Sequence, residues 1–127
     1  MTHRFSCRVY YEDTDLAGIV YYANYLRFIE RARSEWVREI GIDQRRMKAE
    51  DGRVFAVRRL EADYLSPARF DDLLMVETSV ERARPASIVL HQLVLREERP
   101  LFHALVTLVC LSDSGAPLRL PDALRGL

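Results

Sequence analysis

The stretch that decides the fold is Tyr22-Ala23-Asn24-Tyr25-Leu26-Arg27-Phe28-Ile29-Glu30-Arg31-Ala32-Arg33-Ser34-Glu35-Trp36-Val37-Arg38-Glu39-Ile40. Tyr22, Leu26, Ile29, Arg33, Trp36, Val37 and Ile40 recur at spacings of three and four. That places them on one face of a helix about five turns long. Nearly all are apolar, so the face must pack against another layer. Arg27, Glu30, Arg31, Ser34, Glu35 and Arg38 fall on the polar side. Asn24 is the expected N-cap and Gly41 the expected stop. Asp43 to Glu50 predicts a short second helix ending near Gly52.

On both sides of this helix the period is two. Phe5, Cys7, Val9 and Tyr11 alternate with Ser6, Arg8 and Tyr10, as in a half-buried strand. After the helix, Leu60, Ala62 and Tyr64 alternate with charged residues until Ser66-Pro67. Leu74, Val76, Thr78 and Val80 form a third alternating run, broken at Arg84-Pro85. Ser87 to Arg96 forms a fourth, followed by a turn from Glu97 to Pro100. Leu101 to Leu111 is apolar on both faces, as in a central strand, and Gly115 and Pro117 end it. The tail from Pro121 predicts a short helical turn. Short connections favour antiparallel neighbours. The expected architecture is α+β, a five-stranded antiparallel sheet wrapped around one long helix.

At 127 residues the chain fits one domain, residues 1–127, since domains average about 150 residues. That is enough for a core but little for a deep cleft. A sizeable site would borrow walls from a second copy, which would also cover the apolar far face of the sheet. Lys+Arg and Asp+Glu number 19 each, and neither half of the chain is polarised. A general nucleic-acid binder or an electrostatic membrane binder needs a positive excess. The run from Leu101 to Leu111 is about half of the ~20 residues that span a membrane. Residues 1–7 lack the apolar core of a signal peptide. Cys7 and Cys110 read as buried free thiols, which suits a reducing cytoplasm. His3 falls in a frayed terminus, and His91 and His103 fall inside strands without ligand spacing, so no metal is expected.

The chemically dense segment is Tyr11-Glu12-Asp13-Thr14-Asp15-Leu16-Ala17-Gly18, between the first strand and the helix. It is not a calcium loop, because Ala17 and Asn24 occupy positions that need oxygen donors. Two readings remain. In one, Asp13 and Asp15 serve as turn and cap residues. In the other, a carboxylate just upstream of the helix faces a carbonyl polarised by helix-terminal amides. Gly18 would let the backbone approach closely. A carboxylate is a modest nucleophile or base, sufficient for a thioester, whose thiol leaves readily.

The run from Tyr11 to Leu26, continuing into Phe28-Ile29-Glu30-Arg31-Ala32-Arg33-Ser34-Glu35, closely resembles the YbgC-like acyl-CoA thioesterases. These belong to the hotdog-fold 4-hydroxybenzoyl-CoA thioesterase group. Val57-Arg58-Arg59, Tyr64-Leu65-Ser66-Pro67-Ala68-Arg69 and Asp71-Asp72-Leu73 extend the similarity over nearly the whole chain. The resemblance implies a hotdog fold and hydrolysis of short-chain or aromatic, hydroxybenzoyl-like acyl-CoA thioesters. It implies that Asp15 is the catalytic carboxylate, as nucleophile or as base. It also implies that the Tyr22 backbone amide polarises the carbonyl and that Gly18 is the loop glycine. Glu30 matches the acid that contacts an acyl hydroxyl, or else pairs with an arginine. Arg82, Arg84 and Ser87 lie where relatives meet the CoA phosphates, or else form a solvated strand end. Tyr22 departs from the His found there in many YbgC-like members. No cofactor is implied, since CoA is part of the substrate. Members assemble as dimers or tetramers with CoA across the junction, which implies a homo-oligomer, up to a homotetramer. The competing implication is a non-catalytic hotdog that binds acyl carrier protein or Tol-Pal and phospholipid-synthesis partners.

Overall fold

The computed structural model describes all residues, 1–127. Strand β1 (His3–Arg8) is followed by short 3-10 turns at Tyr11–Asp13 and Tyr22–Asn24. Helix α1 (Tyr25–Glu39) and the short helix α2 (Gln44–Asp51) come next. Strands β2 (Val54–Tyr64), β3 (Leu73–Ala83), β4 (Ile88–Arg96), β5 (Arg99–Leu111) and β6 (Pro117–Leu118) complete the chain. All strand pairs are antiparallel, in the order β1-β3-β4-β5-β2, with β6 beside the end of β5.

The apolar stripe of α1 sets the core. Phe28, Ile29, Ala32, Trp36 and Val37 pack on Leu74 and Val76 of β3, Leu90 and Val94 of β4, and Phe102, Ala104 and Val106 of β5. Each large side chain so enclosed contributes roughly 1.5–3 kcal/mol. Leu120 and Leu124 of the C-terminal turn are fully buried and close the same core. The Leu120 amide donates to Pro85 O at 2.9 Å, which ties that turn to the β3–β4 hairpin.

Helix α1 ends as expected, with Gly41 at φ 95°. Asp43 caps α2 by accepting from the Arg46 amide, and Gly52 terminates it in a left-handed conformation. The start of α1 differs from expectation. Asn24 is itself helical (φ −71°, ψ −22°) and makes no capping bond. Its side chain is used elsewhere, in the loop that precedes the helix.

Three strand expectations change. The first strand runs from His3 to Arg8, so His3 is not frayed: it pairs with Thr78, and its Nε2 lies 3.0 Å from the Glu39 carboxylate. The second begins at Val54, six positions before the alternation at Leu60 becomes readable. A bulge between Val57 and Arg59 inserts Arg58 and breaks the two-residue period there. The sheet has six strands rather than five, because two-residue β6 is too short to leave a pattern.

Strand β2 is an edge of the sheet, and the helix side of that edge is uncovered. Val57 is 47% exposed, Leu60 39% and Tyr64 49%. Long edge strands with apolar faces are templates for pairing.

Candidate active site

The loop from β1 to α1 is a small hairpin. Thr14 and Val20 form an antiparallel bridge, the Asp15 amide donates to Ile19 O, and the Gly18 amide donates to Asp15 O, each at 2.9 Å. Gly18 sits at φ 77°, which a residue with a side chain adopts at a cost. A Cβ at Gly18 would meet nothing within 4 Å, so turn geometry rather than close approach requires glycine. The hairpin is docked by Val20 N donating to Ala68 O at 2.8 Å and by the Ile19–Arg69 bridge.

The two aspartates of the loop have different surroundings. Asp13 is 5% exposed. Its Oδ2 accepts from the Tyr10 amide at 2.7 Å and its Oδ1 from Asn24 Nδ2 at 2.8 Å, while its carbonyl accepts from the Tyr21 amide. Asp13 therefore joins both ends of the loop to the start of the helix, and this is where the Asn24 side chain goes. Asp13→Ala leaves these donors unpaired and should lower stability by about 2–3 kcal/mol, read as a reduced urea midpoint. Asp15 is half-buried, and its Oδ1 accepts from the Ala17 amide at 2.9 Å. Its Oδ2 takes no bond within the chain.

Asp15 and Tyr22 line one groove of about 360 Å³, with Ile19, Val20, Tyr25, Tyr64, Leu65, Ser66 and Pro67. Tyr22 opens the 3-10 turn that leads into α1, so its amide has no partner within that turn. Among the loop bonds Tyr21 and Asn24 donate, and Tyr22 does not. Tyr64 Oη donates to Tyr22 O at 2.7 Å, which fixes the orientation of the turn. Tyr25 stacks on Phe102 with ring centroids 4.9 Å apart, and its hydroxyl accepts from the Ala68 amide. Burial pushes the Tyr25 and Tyr64 hydroxyls above the ordinary phenol value, so both walls stay neutral at physiological pH. The groove is thus largely apolar and aromatic, with one carboxylate, and Tyr22, whose amide makes no loop bond, is on its wall.

Within one chain the other expected site residues lie elsewhere. Glu30 lines a second groove of about 180 Å³ with Arg33, Ser34, Val37, Phe55, Val57 and Leu108. It accepts from Ser34 Oγ at 3.1 Å and forms no ion pair with an arginine. Arg82 is exposed on the sheet face away from α1, beside Arg59 and Thr107. The Arg84 amide donates to Ser87 O at 2.8 Å and closes the β3–β4 hairpin. The aromatic wall Tyr64 had no local signal, because it reaches the groove through tertiary contact, whereas Tyr25 directly follows the Tyr22–Asn24 turn. His91 and His103 come together on the outer face with rings 5.8 Å apart, and His103 Nε2 lies 3.3 Å from Asp63. Neither reaches the Asp15 groove.

The chain matches the model of the thioesterase superfamily over residues 17–103. It is 44% identical to the acyl-CoA thioesterase YbgC of Haemophilus influenzae over 95% of this chain and 90% of that protein. Among solved structures it superposes on a probable thioesterase from Bartonella henselae with a TM-score of 0.92 at 37% identity, covering 95% of this chain and all of that one. It superposes on 4-hydroxybenzoyl-CoA thioesterase from a Pseudomonas species with a TM-score of 0.89 at 25% identity, covering 94% of each chain. The wrapped helix, the free amide at its start and these similarities agree: the chain is a hotdog-fold protein and belongs to the YbgC group of the thioesterase superfamily.

Proposed function

We propose that this acyl-CoA thioester hydrolase cleaves short-chain or aromatic, hydroxybenzoyl-like acyl-CoA thioesters to the free acid and CoA. The observation that carries the reading is that Asp15 and Tyr22, whose amide makes no bond within the loop, line one aromatic groove. The thioester carbonyl accepts from the Tyr22 amide, which also stabilises the oxyanion as the carbonyl is attacked. The Asp15 carboxylate attacks the carbonyl carbon itself, or takes a proton from the water that does. The CoA thiolate leaves without needing a strong acid, so the exposed Tyr22 side chain can stand where relatives carry His. CoA enters as part of the substrate and no further cofactor takes part.

The working unit is a homo-oligomer of single-domain subunits, residues 1–127. A two-fold axis through the middle of edge strand β2, normal to the sheet, pairs β2 with its copy in antiparallel fashion and keeps both helices on one side. The Asp15 groove lies at the Tyr64 end of β2 and the Glu30 groove at its Phe55–Val57 end. Such pairing sets the Asp15 groove of one copy against the Glu30 groove of the other. Arg82, Arg84 and Ser87 belong to that same end, since Ile88 pairs with Leu108 and Leu108 with Val57. They would reach the CoA phosphates held at the partner's groove. The outer sheet face, with Leu93, Leu95 and Leu105 half-buried, is the surface on which two such dimers form a homotetramer. No helix is long and apolar enough to cross a membrane. The free thiols Cys7 and Cys110 suit a cytoplasmic enzyme.

The oxyanion donor has a direct test. Tyr21 is at φ −57°, ψ 130°, the conformation that precedes proline comfortably, and Tyr22 is the first residue of its turn. Tyr22→Pro therefore removes the N–H with little strain. Its kcat should fall about 10²–10³-fold relative to Tyr22→Ala, which keeps the amide. Equal rates for the two variants would remove the amide from the mechanism.

A further inference from the structure

The outer face of the sheet, away from α1, carries a side-chain cluster that the proposed thiol release does not use. His91 on β4 stands opposite Leu105, and His103 on β5 stands opposite Leu93. The two imidazoles are therefore diagonal neighbours on one face. Their ring centres are 5.8 Å apart and their planes are tilted by 36°. Both residues are half-buried. Strand β2 adds Asp63, which is the register partner of His103 and places Oδ2 3.3 Å from His103 Nε2. Two other acids of this face are claimed by arginines, Glu61 by Arg59 and Glu77 by Arg4. Asp63 pairs with His103 instead.

These are the parts of a transition-metal site. A carboxylate beside Nε2 favours the tautomer with its proton there and the lone pair on Nδ1, the arrangement that orients metal-binding imidazoles. His103 Nδ1 is enclosed and has no hydrogen-bond partner in the chain. Such an orphan calls for a partner from outside the chain, a water or an ion. An ion about 2.1 Å from one nitrogen of each ring holds the ring centres roughly 5–6 Å apart, which matches the spacing here. Both rings are half-exposed, so small turns about their side-chain bonds bring the lone pairs onto the ion. Imidazole suits Zn(II), Ni(II) and Cu(II), whereas Mg(II) and Ca(II) take oxygen ligands. The chain brings no three histidine, cysteine or acidic side chains around one point, so the ion takes two imidazoles and completes its shell with water. The sequence shows no ligand spacing because strand pairing, not proximity along the chain, joins the two rings. We propose that His91 and His103 bind one divalent transition-metal ion of the zinc and nickel type, with Asp63 orienting His103. The ion ties β4 to β5 and stabilises the folded chain, since the unfolded chain holds no such pair. It takes no part in thiol release, because neither ring lines the Asp15 groove.

The test is calorimetric titration of the untagged, chelator-treated protein with zinc chloride and, separately, with nickel chloride. One ion should bind per chain, and the thermal midpoint should rise with added zinc. Losing a carboxylate that orients a ligand costs about 10- to 100-fold in metal affinity, so Asp63→Ala should weaken binding about tenfold and His91→Ala and His103→Ala by more. His3→Ala, on edge strand β1, should bind as the native chain does. In proton NMR the ring signals of His91 and His103 should shift together as zinc is added, while those of His3 stay in place. If an alanine variant does not fold, as judged by its midpoint in chelator, His91→Gln and His103→Gln test the same loss. Binding unchanged in both histidine variants overturns the proposal, as does saturation only at millimolar ion or no binding of either metal. Thiol release by the native enzyme should be the same before and after chelation. Its loss on chelation would overturn the purely structural role given to the ion.

Discussion

Asp15→Asn should release thiol from acyl-CoA on the order of 10³-fold more slowly than the native enzyme, with the same thermal midpoint and oligomeric state. The size follows from what is removed. Asn is neither a nucleophile nor a base, and a positioned carboxylate in either role contributes about 10²–10⁴-fold. The fold should survive because Asp15 contributes one bond to it, from the Ala17 amide to Oδ1, and the Asn carbonyl can accept that bond. The loop is held instead by Asp13, whose two carboxylate oxygens reach Tyr10 and Asn24. The two aspartates therefore separate cleanly by experiment. Asp13 changes should move stability as well as activity, and Asp15→Asn should move activity alone. Continuous detection of free thiol, with melting curves on the same samples, reads both.

Leu60→Arg should yield a folded monomer with no measurable turnover. Leu60 lies near the middle of β2, is 39% exposed, and sits on the helix side of the sheet between Val57 and Tyr64. In the two-fold pairing inferred above, this position lies beside the axis and faces its own copy. Two arginines there would meet each other in a dry seam, and burying unpaired like charges costs several kcal/mol. In the isolated chain the same side chain reaches solvent, so folding should be spared. Activity should disappear because each Asp15 groove loses the Glu30 and Arg33 wall supplied by its neighbour. Sedimentation and thiol release on one sample decide it. A fully active monomer would show that one chain holds the whole site.

Much of this molecule is readable from short-range pattern. The α1 stripe predicted the core only in part: Ile29, Trp36 and Val37 are buried as expected, but Tyr22 and Leu26 are exposed, and Tyr25, Phe28 and Ala32 take their place on the buried face. Short turns foretold the antiparallel β3–β4 and β4–β5 pairings, but not the places of β1 beside β3 and β2 beside β5. The failures share a cause, which is that tertiary contact overrides local preference. The Asn24 side chain is drawn away from capping by Asp13, eleven residues earlier. The first half of β2 was hidden by the Arg58 bulge, which displaces Leu60 from the alternation set by Phe55 and Val57. Asp15, Gly18 and Tyr22 were legible because they lie within one loop and the turn after it. The groove walls Tyr64 and Pro67 were not, because folding brings them in from a segment some forty residues away. Arg33 was visible as the odd charge on an apolar face, but its partner Gln92 is 59 residues away. Glu30 belongs to a different groove from Asp15 in a single chain, a division that the proposed two-fold pairing of β2 would repair.

The most direct measurement is steady-state thiol release by the intact oligomer from a panel running from acetyl-CoA through longer acyl-CoAs to benzoyl- and 4-hydroxybenzoyl-CoA. Turnover on short-chain or aromatic members, lost in Asp15→Asn, is the expected result. A stable oligomer that releases no thiol above the uncatalysed rate from any member, yet binds acyl carrier protein, would contradict it and make this hotdog a scaffold.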